Sequence, residues 1–534
     1  MKKLWQALVL VRRCDPRSFG LRLLYVVLQS VLPLVNLYLL KLLIDAVERG
    51  VAGGEVHYMP YLLGMVSVFL VNRVVSALNG VNNDVLSQRL TDYMSDIMQR
   101  QSARLDMAYY DNPDYHDTMH RAQQEASFRP LQIMNNFMAL FGALLSIAGI
   151  VAMLASASWW VIVVMVVAVM PGFVVRLYKA RCIYQFRRDN TQLYRQTGYY
   201  GVLLSSRDFA KEMRAFNLTA FFRQRFVDSR RKLVVKLLRI SRRMGVLDVL
   251  CALIEATAMF MVVWLLVRQA VTAAITMGTF VMLFEAFRRG QGQLSGLVAA
   301  VAALYDNRLF VSNLFDFLTL KPEIKSPEQP IPFPERIETV EFRDVTFRYP
   351  DMDRDVLSHY SLTARVGEVT LIQGENGYGK STLVKLLLRL YDPQEGTVAI
   401  NGIDVKLFAL EDLRAHIGTI FQDFGRYNMT AAENIGFTST EGVDKAAVLA
   451  GADSFLGRLS KGYDNMLGRM FDGGAELSMG QWQRVALARM FHTGTPIMLL
   501  DEPMAWMDVA SREKFMQVLD EVKRDRIVIM ITHT

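Results

Sequence analysis

Six long apolar stretches before about residue 310 limit the possible folds of this chain more than any other feature. They lie at about 20–43, 58–79, 134–156, 158–178, 245–267 and 271–303. Each approaches the roughly 20 residues that a helix needs to cross a bilayer. An apolar run can also form a buried core helix, but Val161–Met170 is apolar on all sides and follows Trp159 and Trp160, and tryptophan collects at membrane interfaces. The stretches predict an all-α transmembrane domain of six helices.

The composition agrees with a membrane protein and excludes other classes. Hydrophobic residues make up 52% and charged residues 21% of the 534 positions, which is too apolar for a disordered chain. The cysteines Cys14, Cys182 and Cys251 have neither metal-ligand nor disulfide spacing. We therefore expect a multi-pass membrane protein with a reduced cytosolic portion.

The distribution of basic residues predicts how the transmembrane domain is oriented in the membrane. Arginines precede the first stretch and crowd the segment Lys179–Arg243, whereas the connectors near 51–58, 156–158 and 269–270 carry no Lys or Arg. Because positively charged loops stay in the cytoplasm, both ends of the domain are expected there. A net charge of +8 could also suit nucleic acid, but membrane topology already accounts for these residues, so no nucleic-acid partner is expected.

Prolines mark a domain boundary. Lys321–Arg336 contains five of them, a density that favours an extended connector. Beyond it, β-branched runs such as Val366–Gln373 and Ile497–Leu500 alternate with helical segments, which is typical of a parallel sheet with crossover helices. The expected organisation is a transmembrane domain over 1–320, a linker over 321–337 and an α/β domain over 338–534.

A glycine-rich loop occupies 374–381, with the sequence Gly-Glu-Asn-Gly-Tyr-Gly-Lys-Ser. A strand is expected before it, over Val369–Gln373, and a helix after it. In such a P-loop the backbone N–H groups and the positive end of the helix bind phosphates. Lys380 is then expected to reach the β- and γ-phosphates and Ser381 to ligate magnesium.

Two carboxylates, Asp501 and Glu502, follow the apolar strand Pro496–Leu500. The carboxyl end of such a strand faces the crevice where α/β sheets bind ligands. Asp501 is expected in the magnesium shell, and Glu502 could polarise the attacking water. The alternative is a solvated Asp-Glu pair that merely ends a strand.

Leu477-Ser478-Met479-Gly480-Gln481 resembles the signature motif of ATP-binding cassette (ABC) proteins, usually Leu-Ser-Gly-Gly-Gln. With six apolar stretches before one α/β P-loop cassette, the chain resembles a type IV exporter half-transporter of the bacterial peptide, lantibiotic or multidrug kind. The resemblance implies ATP and Mg²⁺ as cofactors. It implies nucleotide binding by Tyr349, Gly374, Glu375, Asn376, Gly377, Tyr378, Gly379, Lys380, Ser381, Thr382, Ser478, Gly480, Gln481 and Asp508. It implies catalysis by Glu502, His533 and Gln422, and metal binding by Ser381, Gln422 and Asp501.

This sequence departs from the family pattern at three places. Met479 replaces a signature glycine, and Met504–Asp508 differs from the usual Thr-Ser-Ala-Leu-Asp type of sequence. Both changes bear on contacts with an opposing cassette, and neither removes a catalytic group. The sequence ends one residue after His533, earlier than cassettes of this family, so we expect a truncated C-terminal end.

The resemblance implies ATP-driven export of a peptide, lipid or amphipathic small molecule across the bacterial inner membrane. It implies sites shared by two cassettes, with an identical second half-transporter favoured over a different one, and contacts with membrane lipid and the transported substrate. Segments 109–115 and 207–214 resemble coupling helices, although ordinary solvated helix–turn segments are an alternative. An importer on the same scaffold, of the siderophore or vitamin type, and an ATP-gated regulator remain open. The intact Glu502 favours turnover.

Charged residues within the apolar stretches are candidates for the transport path. Glu285, Arg288 and Arg289 have i, i+3 and i+4 spacing and therefore share one helix face. A lipid-facing charge is costly, so this face is expected to line a water-filled cavity. Alternatively, Glu285 simply pairs with Arg289. Glu255 is a second, independent candidate.

Overall fold

The computed structural model describes residues 2–51, 53, 57–112, 119, 128–155, 159–350, 352–375 and 378–532. These residues form two compact units. The first contains the residues up to Ala103 and the later helices up to Thr319. The second begins at Leu320 and also includes the segment that starts at Arg104.

Helices account for most of the chain before Leu320. They are α1 (Lys2–Cys14), α2 (Pro16–Val51), α3 (Met59–Arg104), α4 (Met107–Asp111), α5 (Arg129–Ala155), α6 (Trp159–Asp189), α7 (Thr191–Ser205), α8 (Ala210–Ala215), α9 (Thr219–Val271) and α10 (Met277–Leu318). Helix α4 belongs to the second unit and the others to the first. The charged segments 90–104 and 223–239 lie within α3 and α9.

Within the described ranges, five helices are long and apolar enough to cross a membrane, namely α2, α3, α5, α6 and α9. Their most apolar windows have mean hydropathies between 1.7 and 2.4, yet only 6% to 28% of each window is buried inside the protein. Water would make so much exposed apolar surface unfavourable. Length, composition and exposure therefore agree with a lipid environment for five of the six predicted stretches.

The sixth predicted stretch, 271–303, differs from the observed helix. Helix α9 ends at Val271, and α10 begins at Met277 after the N-cap Thr276, whose hydroxyl accepts a hydrogen bond from the Thr279 N–H at 3.1 Å. Helix α10 is not among the five apolar helices, because charged and amide side chains from Glu285 to Gln293 lower its hydropathy. Glu285 pairs with Arg288 at 2.8 Å, and not with Arg289 as the alternative expected.

Two sheets lie in the second unit. Its strands are β1 (Thr339–Phe347), β2 (Leu357–Arg365), β3 (Val369–Gln373), β4 (Glu395–Ile400), β5 (Ile403–Asp404), β6 (Ile417–Ile420), β7 (Ile497–Asp501) and β8 (Ile527–Thr532). One sheet has the order β3-β8-β7-β6 and is parallel, as the sequence predicted. The other has the order β2-β1-β4-β5 and is antiparallel, and this sheet was not predicted.

Short helices complete the second unit. They are α11 (Lys380–Leu387), α12 (Leu410–Ala415), α13 (Ala431–Gly436), α14 (Val443–Leu449), α15 (Asp453–Leu456), α16 (Met479–Thr493) and α17 (Val509–Val522), with 3₁₀ turns at Val405–Leu407, Gly462–Asp464 and Lys523–Asp525. Apolar side chains from both sheets and from α11 form one core. A second core joins β6–β8 to the helices α13, α14, α16 and α17.

The register of the parallel sheet places two loops at one edge. Gln373, at the end of β3, pairs with Thr532 of β8, and Asp501, at the end of β7, pairs with Ile531. The P-loop and Asp501-Glu502 therefore leave the same edge of the sheet, one strand apart, as expected for a ligand-binding edge.

The segment around α4 packs within the second unit. The Asp111 carboxylate accepts a hydrogen bond from the Tyr391 hydroxyl and lies 3.7 Å from the Lys385 ammonium. The Tyr109 hydroxyl donates to the Lys321 carbonyl at 3.2 Å. Residues 109–111 of the predicted first coupling segment are thus helical and bound to this unit, while Pro113, Asp114 and Tyr115 lie outside the described residues. Helix α8 covers most of the second segment.

Candidate nucleotide site

A cavity of about 870 Å³ opens at the carboxyl edge of the parallel sheet. It is lined by Tyr349, Met352, Arg354, Asp355, Val356, Tyr378, Gly379, Lys380, Ser381, Thr382, Gln422, Asp501 and Glu502. The sheet register explains this convergence, because β3 supplies the P-loop, β6 the Gln422 loop and β7 the carboxylates. Asn376, Gly377 and His533, which the sequence also predicted for this site, lie outside the described residues.

Gly379 fixes the shape of the P-loop where it enters α11. Its φ is +77°, a conformation that residues with a side chain rarely adopt. A Cβ there would lie 2.8 Å from the Leu357 side chain and 3.0 Å from the Val356 carbonyl oxygen. Glycine is therefore required at this turn both by conformation and by space.

Lys380 follows directly and is only 8% exposed. Its ammonium donates hydrogen bonds to the carbonyl oxygens of Gly374 and of Glu375 (3.3 Å for the latter). The cation is thereby held across the loop at the N-terminus of α11. Positive charge and helix N–H groups at one place form a site suited to phosphate oxygens.

Tyr349 lines the cavity, but it also packs into the wall. Its hydroxyl shares a hydrogen bond with the Thr382 hydroxyl at 3.0 Å, and its ring meets the Tyr391 ring edge-on with centroids 5.2 Å apart. The Lys385 ammonium lies 5.1 Å from the Tyr349 ring centroid. Tyr349, which the family resemblance assigned to nucleotide binding, thus contacts Tyr391 and Lys385, the two residues that bind Asp111.

Gln422 and Glu502 meet in the cavity. The Gln422 amide nitrogen donates to a Glu502 carboxylate oxygen at 2.9 Å. Glu502 has a φ of +51°, a strained backbone conformation of the kind that collects at functional sites. The neighbouring Asp501 is 3% exposed at the end of a fully buried strand.

Sequence reasoning assigned no role at the site to Gln483 of α16. This amide is 2% exposed; its nitrogen donates to the Glu502 carbonyl oxygen at 3.1 Å, and its oxygen accepts from the Trp506 N–H at 3.1 Å. Gln483 therefore holds the strained residue and the Met504–Asp508 loop in one arrangement. The sequence also gave no role to Arg354 and Asp355, which line the cavity. For Gln483 the only available signal was its position shortly after the signature motif.

The oxygen donors around the cavity fit Mg²⁺. The Ser381 hydroxyl, the Gln422 amide oxygen and the Asp501 carboxylate are ligands that Mg²⁺ prefers, and it is commonly bound by one or two carboxylates together with substrate phosphates. Across the described part of the chain, no group of three or more His, Cys, Asp or Glu side chains could hold a metal. The site thus suits a metal that arrives with a phosphate ligand better than a metal held by protein alone.

The signature motif begins α16. The Ser478 hydroxyl accepts from the Gln481 N–H at 3.3 Å, and the Gln481 side chain accepts from the Ser478 N–H at 2.8 Å, a reciprocal capping box. Gly480 packs against the Met504–Asp508 loop, because a Cβ there would lie 2.6 Å from the Trp506 carbonyl oxygen.

Met479 is 36% exposed, and the Arg426 guanidinium lies 3.6 Å from its sulfur. A half-buried arginine holds the loop that carries Arg426: Arg489 donates to the Gly425 carbonyl at 3.3 Å and lies 4.7 Å from the Tyr427 ring centroid. Burial lowers the pKa of Arg489 from its ordinary value. The signature of this chain therefore presents a thioether and a guanidinium side by side.

Asp508 caps α17 and accepts a hydrogen bond from the Ser511 N–H at 2.8 Å. Hydrogen bonds from the Ser511 side chain and backbone lower the pKa of Asp508 from its ordinary value. Among the described residues that line the cavity, none comes from the signature motif or from Asp508. The structure thus brings the predicted P-loop, Gln422 and carboxylate residues together, and leaves Ser478, Gly480, Gln481 and Asp508 on a separate surface.

Known proteins resemble this chain along nearly its whole length. It is 26% identical over 531 residues to the subtilin transport ATP-binding protein SpaT of Bacillus subtilis, covering 97% of this chain and 85% of that protein. It is 24% identical to the nisin transport ATP-binding protein NisT of Lactococcus lactis, covering 94% and 84%. A solved bacterial Atm1-family ABC exporter with ATP bound shares the fold, with a TM-score of 0.74 and 22% identity over 98% of this chain and 91% of that one.

Two further matches show the family. Residues 357–505 match the family model described as ABC transporter. The ATP-dependent lipid A-core flippase of Chromohalobacter salexigens is 30% identical over 396 residues, which cover 73% of this chain and 67% of that protein. The resemblance inferred from the motifs is confirmed. The chain belongs to the ABC transporters, multi-pass membrane proteins whose cytoplasmic cassette hydrolyses ATP to drive transport.

Proposed function

We propose that this chain is one half of an ATP-driven exporter of the bacterial inner membrane and works as a pair of identical chains. The observation that carries the proposal is the cavity in which Lys380, Gln422 and Glu502 converge, in a chain that also has five helices suited to cross a membrane. Helix α10 is the sixth span. Its charged residues then face the interior between helices, since a lipid-facing charge is costly.

ATP binds in the cavity with its phosphates on the P-loop. Lys380 moves its ammonium from the loop carbonyls to the phosphate oxygens, while the N-terminus of α11 binds them through N–H groups. Ser381, the Gln422 amide oxygen and Asp501 would hold Mg²⁺, which would supply positive charge beside the phosphates. Glu502 orients the attacking water and accepts its proton. The hydrogen bond between Gln422 and Glu502 couples the position of the Glu502 carboxylate to the binding of the metal and the γ-phosphate by Gln422.

The second chain completes each site. Ser478, Gly480, Gln481 and Asp508 are directed to the nucleotide of the opposing cassette, which is consistent with their separation from the cavity of their own chain. Binding of ATP then closes the two cassettes, and hydrolysis at Glu502 separates them. Asp111, bound to Tyr391 and Lys385, passes this change to the membrane helices through α4.

The transported substrate is proposed to be an amphipathic peptide. Two relatives that match almost the whole chain are transport proteins for subtilin and for nisin. A lipid substrate is the second candidate, supported by flippase relatives that match 73% of the chain or less.

Transport direction in vesicles tests the proposal. The chain, reconstituted with its cassettes outside, should accumulate a fluorescent amphipathic peptide inside the vesicles when MgATP is added, and Glu502→Gln should abolish this uptake. Loss of preloaded peptide upon ATP addition would instead indicate an importer. ATP hydrolysis without net movement of peptide or labelled lipid would indicate a regulator.

A further inference from the structure

Glu255 lies alone in the apolar part of α9. From Val249 to Val267 it is the single charged residue, with Asp248 and Arg268 next to the two ends of this stretch. At 1.5 Å per residue, Glu255 is about 10 Å along the helix from Asp248 and about 20 Å from Arg268. This helix is one of the five suited to cross a membrane, so its carboxylate lies at the depth of the hydrocarbon core.

The Glu255 carboxylate faces helix α6 at a glycine. A Cβ built on Gly172 would lie 3.4 Å from the Glu255 Oε1 atom, so the absence of a side chain there leaves room for the carboxylate. The Lys179–Asp248 pair, at 3.7 Å, joins the same two helices about two turns further toward the cytoplasm. Helices α6 and α9 therefore run antiparallel with Gly172 opposite Glu255.

Glu255 has no hydrogen-bond partner and no ion-pair partner among the described residues. The nearby basic groups are engaged elsewhere: Arg176, one turn after Gly172, donates to the Ser295 carbonyl at 2.8 Å, and Lys179 pairs with Asp248. Two other charged groups of the first unit do have partners: Glu285 pairs with Arg288, and Arg22 donates to the Asn79 and Asn135 amide oxygens. A membrane-depth carboxylate without a protein cation marks a functional group rather than a packing element.

An apolar groove of about 450 Å³ lies between the same two helices. Helix α6 lines it with Val163, Val164, Val167 and Ala168, and α9 with Leu253, Ile254, Thr257, Ala258 and Met261. Ile254 directly precedes Glu255, and Ala168 lies one turn before Gly172. An apolar surface therefore adjoins the carboxylate on both helices.

We infer that Glu255 is the counter-ion for a cationic group of the transported substrate, an ammonium or guanidinium on an amphipathic molecule whose apolar part lies in the adjoining groove. This inference rests on the proposed export function and specifies the substrate class of that path. Charge complementarity selects the occupant: a cation satisfies the carboxylate, whereas a neutral acyl chain would leave it unpaired. The helical register supports this arrangement, since Gly172 opens space at the carboxylate and no cationic side chain of the described residues pairs with it.

Binding of a matched pair of probes tests the inference. Monodansylcadaverine carries an apolar fluorophore and a primary ammonium, and its N-acetylated form differs by losing the charge. The full chain is placed in nanodiscs of phosphatidylcholine, and binding is followed by fluorescence against empty nanodiscs. We expect the amine to bind more tightly than its acetylated form, and Glu255→Gln to weaken amine binding by about tenfold or more, as expected when one member of a desolvated charge pair is neutralised.

Two variants act as controls. Glu255→Asp should retain the preference for the amine, and Asp248→Asn, at the cytoplasmic end of the same interface, should leave binding of both probes unchanged. Equal binding of the two probes to the wild-type chain, or unchanged amine binding by Glu255→Gln, would overturn the inference. The second of these results is also the one expected if a lipid acyl chain occupies the groove.

A chemical test covers the case in which Glu255→Gln does not fold, judged by size-exclusion chromatography. Dicyclohexylcarbodiimide modifies membrane-embedded carboxyl groups, and mass spectrometry locates the adduct in the wild-type chain. The amine should protect Glu255 from modification and the acetylated probe should not; no difference in protection overturns the inference. These measurements need no ATP, so failure of vesicle transport with intact amine binding would contradict the proposed function alone.

Discussion

The Gln422 amide nitrogen donates a hydrogen bond to the Glu502 carboxylate at 2.9 Å, which links the loop after β6 to the end of β7. Glu502 also has a φ of +51°, and its carbonyl oxygen accepts from the buried Gln483 amide. Gln422 thus holds the side chain of Glu502, and Gln483 holds its backbone. A carboxylate held this firmly can orient a water molecule with little reorganisation during the reaction.

The first prediction concerns Glu502 itself. Glu502→Gln should still bind MgATP but should hydrolyse it about 10²–10⁴ times more slowly, because one positioned proton acceptor is lost. Phosphate release and nucleotide binding measured on the same purified sample separate the two effects. Glu476→Gln, an exposed residue paired with Arg469 at 3.3 Å outside the cavity, is the control. Near wild-type turnover in Glu502→Gln would remove this residue from the proposed role.

The second prediction concerns the buried Gln483 amide. Gln483→Met removes its bonds to the Glu502 carbonyl and the Trp506 N–H, so the cassette should lose about 1–3 kcal/mol of stability. Turnover should fall more than ATP affinity, because the P-loop is untouched while Glu502 loses its backbone support. Thermal unfolding and ATPase assays measure the two effects. Gln517→Met, at an exposed position on α17, should change neither quantity. Normal turnover in Gln483→Met would show that the hydrogen bonds of Gln483 stabilise the fold but do not support catalysis.

The third prediction concerns the signature motif. Met479→Gly should maintain or raise turnover, because the smaller residue lets the phosphate of an opposing nucleotide approach the N-terminus of α16. It also releases the Arg426 guanidinium, now 3.6 Å from the Met479 sulfur. Met470→Gly, at a position 74% exposed outside the motif, is the control for a general effect of glycine. Turnover that falls in Met479→Gly alone would mean that the thioether positions Arg426 usefully.

Residue patterns within short stretches of the sequence predicted individual helices and strands. The length and continuity of apolar runs predicted the five apolar helices, and β-branched runs predicted β3 and β7. The P-loop and the strand before Asp501 and Glu502 predicted that Lys380 would lie near these carboxylates, since parallel strands bring successive loops to one edge. Gln422 was placed with them only by the family resemblance.

The features that the sequence missed depend on long-range pairing. The antiparallel sheet joins β1 to β4 and β2, and no periodicity in 339–400 shows which strands will be neighbours. Gln483 lies in an ordinary helical pattern, and only the fold brings its amide to Glu502 and Trp506. By spacing alone Glu285 could pair with either Arg288 or Arg289, and only the three-dimensional structure shows that its partner is Arg288.

The last prediction concerns the connection between nucleotide and membrane helices. Asp111 accepts a hydrogen bond from the Tyr391 hydroxyl and lies 3.7 Å from Lys385. Both partners contact the ring of Tyr349 in the cavity wall. Asp111→Ala should therefore leave basal ATPase activity largely intact but reduce vesicle transport by about tenfold, the effect of losing one hydrogen bond to a charged group.

Tyr391→Phe provides the matched test, because it keeps the ring beside Tyr349 and removes only the hydroxyl that Asp111 binds. If the two residues act through their hydrogen bond, the double variant should transport no worse than Asp111→Ala alone, since residues in contact are not additive. Asp96→Ala, which removes an exposed pair with Arg100 on α3, should transport normally. Additive losses in the double variant would show that Asp111 and Tyr391 act separately, and α4 would then transmit the nucleotide state through its other contacts with the cassette.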